Sequence, residues 1–172
     1  MAPARGWLPT ATRSAPWPWR AHPRPVPALC EESMKNSPID HRNSIAELES
    51  SAWPDPPEGS TNLVKSVHAL RRQPIGDLTP EELARLIGQN VGLPWILPLA
   101  LEFLRDTAPH QATGGWYDDD LLSAVLTRKS DVWSASPELA QEVDAILRIL
   151  TDLSPYIQRD VKRFRAALPS GE

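Results

Sequence analysis

The chain has 172 residues, 18 Lys and Arg against 22 Asp and Glu, and a net charge of −4; that length suits one folded domain with an appendage. A mildly acidic chain lacks the clustered cations that phosphate backbones and anionic lipids require, so nucleic acid and membrane surfaces are disfavoured as partners. Cys30 is the only cysteine, which excludes an internal disulfide and a zinc site built on cysteine pairs, and fits a reducing cytosol.

Charge is spread unevenly. Residues 1–33 carry +2 and leave −6 for the remainder. Seven of the 19 prolines fall in this first stretch, where their missing amide donors prevent regular pairing. It has no continuous apolar segment of the roughly 7–15 residues that a signal peptide needs. Pro27-Ala28-Leu29-Cys30 resembles a lipoprotein cleavage site, but Leu29 is bulky where a small residue is required. Two readings remain: a disordered arm, or a translation of non-coding sequence ahead of a true start at Met34. The richness in Arg, Pro, Trp and Ala favours the second. The expected division is 1–43 as this extension, disordered or miscalled, and 44–168 as the helical domain.

Within the body, Met34 to Asn43 is polar and expected to fray. Ser44-Ile45-Ala46-Glu47 has the spacing of a capping box and predicts a short helical turn. Trp53-Pro54-Asp55-Pro56-Pro57 must be an extended loop, with Trp53 pinning it to the body. Ser60 is expected to cap a helix over about 61–72, with Leu63, Val64, Val67 and Leu70 inward and Arg71 and Arg72 as cations at its negative end. Thr79-Pro80-Glu81-Glu82 is the clearest local signal. Thr79 caps, Pro80 takes the first helical position, and Glu82 closes the box. Leu83, Leu86 and Ile87 form its buried stripe, and Gly92 is placed to stop it.

The stretch from Leu93 to Leu101 is the most apolar of the chain. It is far below the ~20 residues that span a bilayer. Pro98 cannot donate to the carbonyl of Pro94, so either the helix kinks there or its regular part runs from Pro98 to about Asp106. Apolar residues point in every direction around it, which marks a buried central helix. Asp118-Asp119-Asp120 opens the next helix, with Leu121, Leu122, Val125 and Leu126 inside. Ser136-Pro137-Glu138 opens another, and Ser154-Pro155 a last one with Ile157, Val161 and Phe164 inward and Arg159, Lys162, Arg163 and Arg165 outward. No stretch alternates with period two. The expectation is an all-α domain of about five or six helices around a single core.

Reaction chemistry is hard to find. There is no Gly-rich phosphate loop. His22, His41, His68 and His110 are scattered without metal-ligand spacing, and His68 reads as a helix-edge residue. The one cluster worth weighing is Asp118-Asp119-Asp120. Carboxylates gather at a helix N-terminus because they cap it and complement its dipole. They can also offer charge to a cationic partner, and Trp116 and Tyr117 just before them are residues that interfaces favour. Consecutive carboxylates are poor octahedral ligands, so no metal or other cofactor is expected.

From Ser44 to about Trp133 the chain resembles the immunity proteins of bacterial contact-dependent growth inhibition systems. The matching pieces are Ser44-Ile-Ala-Glu-Leu-Glu, Trp53-Pro-x-Pro-Pro, Ser60-Thr61-x-Leu63-Val64, and Leu70-Arg71 with Pro74. They continue with Leu78-Thr79-x-Glu81-x-Leu83-x-x-Leu86-Ile87-Gly88-Gln89, Gly92-Leu93-Pro94, Pro98-Leu99-Ala100-Leu101 and Tyr117-x-x-Asp120-Leu121-Leu122. The pieces fall in order with compatible spacing. In the family pattern a glycine commonly precedes the Asp-Leu-Leu, where this chain has Asp118 and Asp119. The basic final helix after Pro155 lies outside the resemblance.

The resemblance implies a cytoplasmic, non-enzymatic protein that binds the toxic C-terminal domain of a large delivered effector. Such toxins are often nucleases, and immunity works by covering the active site or the approach to it. An acidic body suits such a partner, because a nucleic-acid-binding face is basic. The expected contact residues are Trp116, Tyr117, Asp118, Asp119 and Asp120, with Glu102 and Asp106 beside them. The competing reading is a non-enzymatic helical scaffold that self-associates, which an exposed Trp95 or Trp133 would favour. Neither reading fixes the oligomeric state.

Overall fold

Two capping boxes set the first half of the fold. The Ser44 hydroxyl accepts from the Glu47 amide at 3.3 Å and the Glu47 carboxylate accepts from the Ser44 amide at 2.7 Å. Thr79 and Glu82 repeat the exchange. Each box satisfies two amides that a helix start leaves without partners. The structure is a computed structural model describing residues 39–112 and 117–168. The proposed arm of residues 1–33 therefore lies outside the described residues.

Among the described residues eight α-helices follow one another: α1 (Ile45–Leu48), α2 (Asn62–Leu70), α3 (Pro80–Gly88), α4 (Leu93–Ala112), α5 (Asp119–Leu126), α6 (Ser130–Ala135), α7 (Pro137–Ile149) and α8 (Pro155–Ala167). A 3₁₀ turn at Ile75–Asp77 precedes α3. The described residues contain no strand, and Ser44 and Pro74 form an isolated bridge. The chain is all-α, with more helices than the expected five or six. Residues 39–43, expected to fray, are bonded: the Asn43 carbonyl accepts from the Ile75 amide and the His41 carbonyl from the Gly76 amide.

α3 and α4 pack on each other and on α5, α4 also lies against α7, and α8 packs on α5. Leu83, Leu86, Ile87, Ile96, Leu97, Leu101, Leu104, Leu121, Leu122 and Val125 are buried where these helices meet. α4 is one helix across Pro98, not a regular segment starting there. Its neighbours Ile96, Leu97, Leu99 and Ala100 are buried, so packing offsets the hydrogen bond that proline removes. Among the described residues no helix is long and apolar enough to cross a membrane.

Gly92 does not end α3. Asn90, at φ 56°, takes the left-handed conformation beyond α3, while the Gly92 carbonyl accepts from the Ile96 amide at the start of α4. Gly92 itself has φ +63°, and a Cβ there would sit 2.9 Å from Cδ1 of Ile45. Both conformation and space require glycine at this position.

α2 departs furthest from expectation. Thr61, not Ser60, supplies its cap. Leu63 and Val64 are 43 % and 38 % exposed, and only Val67 and Leu70 reach the core. Arg71, expected as a cation at the negative end of the helix, is buried. Its guanidinium pairs with Glu49 and lies 3.8 Å from the centre of the Trp53 ring. His68 meets the same ring edge-on at 5.2 Å. Trp53 thus does pin the proline-rich loop, using a buried arginine as its platform.

Candidate functional site

The acidic turn is built by the entry of the chain into α5. Asp118 is the N-cap: its Oδ1 accepts from the Leu121 amide at 2.8 Å. Its carboxylate is therefore engaged in holding the helix start. Asp119 and Asp120 occupy the first turn and are exposed. Their charges complement the positive end of α5, yet three carboxylates in a row repel one another. Burial first, then the charges of Asp120 and Asp118, push the Asp119 carboxyl above the usual carboxylate range.

Tyr117 precedes the cap and packs half-buried against the core. Burial, with the nearby charges of Asp119 and Asp118, pushes its phenol well above the ordinary tyrosine value. The hydroxyl is buried and has no hydrogen-bond partner among the described residues. Tyr117 thus anchors the turn instead of presenting its ring. Trp116 lies outside the described residues.

Glu102 and Asp106 sit one turn apart on α4, so they share a face. Asp106 is exposed and loosely paired, 3.7 Å from Arg105 Nε, whereas Arg105 is bound more closely to Glu142 of α7 at 2.8 Å. Glu102 is half-buried. Neither carboxylate shares an ion pair or hydrogen bond with the acidic turn. Tyr117 to Asp120 form one turn at the start of α5, and Glu102 and Asp106 stand on α4, which packs on α5.

A groove of about 430 Å³ lies beside α6 and α7, lined by Trp133, Pro137, Ala140, Gln141, Asp144, Arg148 and Leu168. Its carboxylate, Asp144, accepts from both Arg148 and Arg165, at 2.5 and 3.2 Å. Both oxygens of Asp144 are thus engaged by guanidinium groups of the groove and its flank. Among the described residues no three His, Cys, Asp or Glu side chains gather as metal ligands.

Trp133 is wholly buried, edge-on to Phe164 with ring centres 5.2 Å apart. Trp95 is half-buried against the core. The exposed indole that self-association was expected to use is not found at either position.

A family model described as CDI immunity proteins matches residues 47–143, more than half of the chain. The chain belongs to that family. No curated protein and no solved structure matches it. The matched region of this CDI immunity protein runs from α1 into α7 and contains the acidic turn, Glu102 and Asp106. It stops before α8.

Sequence reasoning missed a second polar constellation because its parts are far apart in the chain. Ser123 of α5 donates from Oγ to Asp160 of α8 at 2.8 Å, and Tyr156 lies 3.0 Å from the same Oγ. The serine has one proton, given to the carboxylate, so the tyrosine hydroxyl donates to the serine. Asp160 is 3 % exposed. A carboxylate among four cations on a helix reads from sequence as one more solvated charge, and the pattern alone does not reveal that it faces inward.

Proposed function

We propose that this chain is a cytoplasmic immunity protein that binds the C-terminal toxin domain of its cognate contact-dependent effector, a nuclease by class, and neutralises it by covering its working surface. It acts by binding alone and needs no cofactor. The observation that carries this reading is the family match over residues 47–143. What supports the contact surface is the exposed Asp119–Asp120 turn, whose backbone is held by the Asp118 cap and the packed Tyr117 ring. A pre-formed anionic turn does not have to be ordered on binding, and its field speeds encounter with a basic face. Trp116, Glu102 and Asp106 extend the proposed surface.

Survival of cells is the test. The reading predicts a toxin gene immediately upstream, and the domain encoded at its C-terminal end is expressed with and without this chain. The wild type should protect, and Asp119→Lys/Asp120→Lys should lose protection while melting within a few degrees of the wild type. Asp118 is left intact because it caps α5. Full protection by the double variant would move the contact surface elsewhere. Failure of the wild type to protect would overturn the immunity reading.

A further inference from the structure

α8 carries a basic stripe that is only partly neutralised among the described residues. Tyr156, Arg159 and Arg163 follow at i, i+3 and i+7, with Lys162 beside them, and all four are exposed. Such spacing puts them on one face. Arg165 points to the other flank, where it is engaged by Asp144. On the stripe, Arg163 lies 3.9 Å from the buried Asp160 carboxylate. Arg159 lies over the Tyr156 ring at 6.0 Å. Lys162 has no carboxylate partner among the described residues. Arg159 and Arg163 stand four apart with like charge, a spacing that weakens a helix.

The aromatic member is fixed in place. Tyr156 is 52 % exposed, but its hydroxyl is tied through Ser123 to Asp160. A ring exposed on its face and anchored at its hydroxyl is ordered before any partner arrives. Tyrosine and arginine together are the side chains that most often dominate binding energy at protein interfaces.

The Tyr156 end of the stripe touches α5 one helical turn beyond the acidic residues. Ser123, which touches Tyr156, lies three and four residues after Asp120 and Asp119 on the same face of α5. A negative turn and a positive stripe thus lie on two helices that pack on each other. A uniformly basic partner would be attracted by the first and repelled by the second.

We propose that the Tyr156–Arg159–Lys162–Arg163 face of α8 is a second contact for the same toxin domain, taking a carboxylate-bearing patch next to that domain's basic face. This rests on the immunity reading. It places the choice between toxins on a helix outside the family-matched residues. The two patches of opposite sign would set the register of the complex, and a toxin with a cation at the second position would be rejected.

The test uses the full chain and the purified upstream-encoded domain, with association followed at low and physiological ionic strength. Three proteins are compared: wild type, Arg159→Gln/Lys162→Gln/Arg163→Gln, and Asp119→Lys/Asp120→Lys. The triple glutamine variant removes repulsion within α8 and should fold. It is expected to bind about tenfold more weakly, with a reduced dependence on salt. Charge reversal of the same three residues to Glu should weaken binding further. If the acidic-turn variant binds poorly and the triple variant binds like wild type, this inference is wrong and the immunity reading stands. If the wild type does not bind the domain, both fall. If the triple variant loses affinity only for a single-stranded RNA oligonucleotide, the stripe is a nucleic-acid surface and the proposal is overturned.

Discussion

Replacing Asp118 by alanine removes the acceptor for the Leu121 amide and should cost about 1 kcal/mol in chemical denaturation, the usual worth of an N-cap. Its neighbour behaves oppositely. The folded state raises the Asp119 carboxyl above its ordinary value, so the folded protein holds that proton more tightly than the unfolded chain. Stability from this group therefore falls as pH rises through the folded-state titration of Asp119, and the deficit is absent below the unfolded value of about 3.9. Asp119→Asn should be slightly more stable than wild type at neutral pH, and the difference should vanish on acidification. A wild type that gained on Asp119→Asn with rising pH would contradict the assigned sign. Gly92→Ala tests a second kind of constraint. A left-handed φ costs a residue with a Cβ about 1–2 kcal/mol, and the close approach of Ile45 should add to that in thermal melts. At this scale the sequence was informative where chemistry is local. Thr79, Glu82, Ser44 and Glu47 cap as their spacing requires. Arg71 was not legible, because nothing near it in the chain announces that Glu49 and Trp53 will close over it.

Helices were legible in proportion to their length and their caps. α3, α5, α7 and α8 begin where Pro, Asp or a capping threonine marks a start. α6 carried no such mark. It has six residues, its N-cap is Lys129 with no side-chain bond, and its one buried residue is Trp133. Tertiary packing of that indole against Phe164, not helix propensity, holds the element. Trp133→Ala should accordingly cost about 3–5 kcal/mol, and a loss under about 1 kcal/mol would show that α6 stands without it. α4 failed in the other direction. Pro98 marks a break that packing overrides, since the residues flanking it are buried. The inward stripe of α2 was half right. Val67 and Leu70 are buried, whereas the first turn, with Leu63 and Val64, is largely uncovered.

Net charge and its placement act on the whole molecule. A chain of net charge −4 draws a basic partner from a distance, but that field is screened within about 8–10 Å at ordinary ionic strength. Placement then decides, and the exposed carboxylates of Asp119 and Asp120 stand one helix away from the cations of α8. The acidic turn could be named from sequence because its members are consecutive. Its division into a cap, Asp118, and two exposed charges could not, because that depends on where α5 begins. The meeting of α5 and α8 was hidden for the same reason as the Ser123–Asp160 bond: residues 37 apart come together only in the fold. Family membership, by contrast, was carried by ordered motifs along the chain, and the match over residues 47–143 agrees.

Calorimetric titration of the full chain with the purified upstream-encoded C-terminal domain is the most direct test of the immunity reading. One-to-one binding in the nanomolar range or tighter, lost or strongly weakened in Asp119→Lys/Asp120→Lys, is the expected result. Absence of heat and of any complex with the well-folded wild-type protein would contradict it.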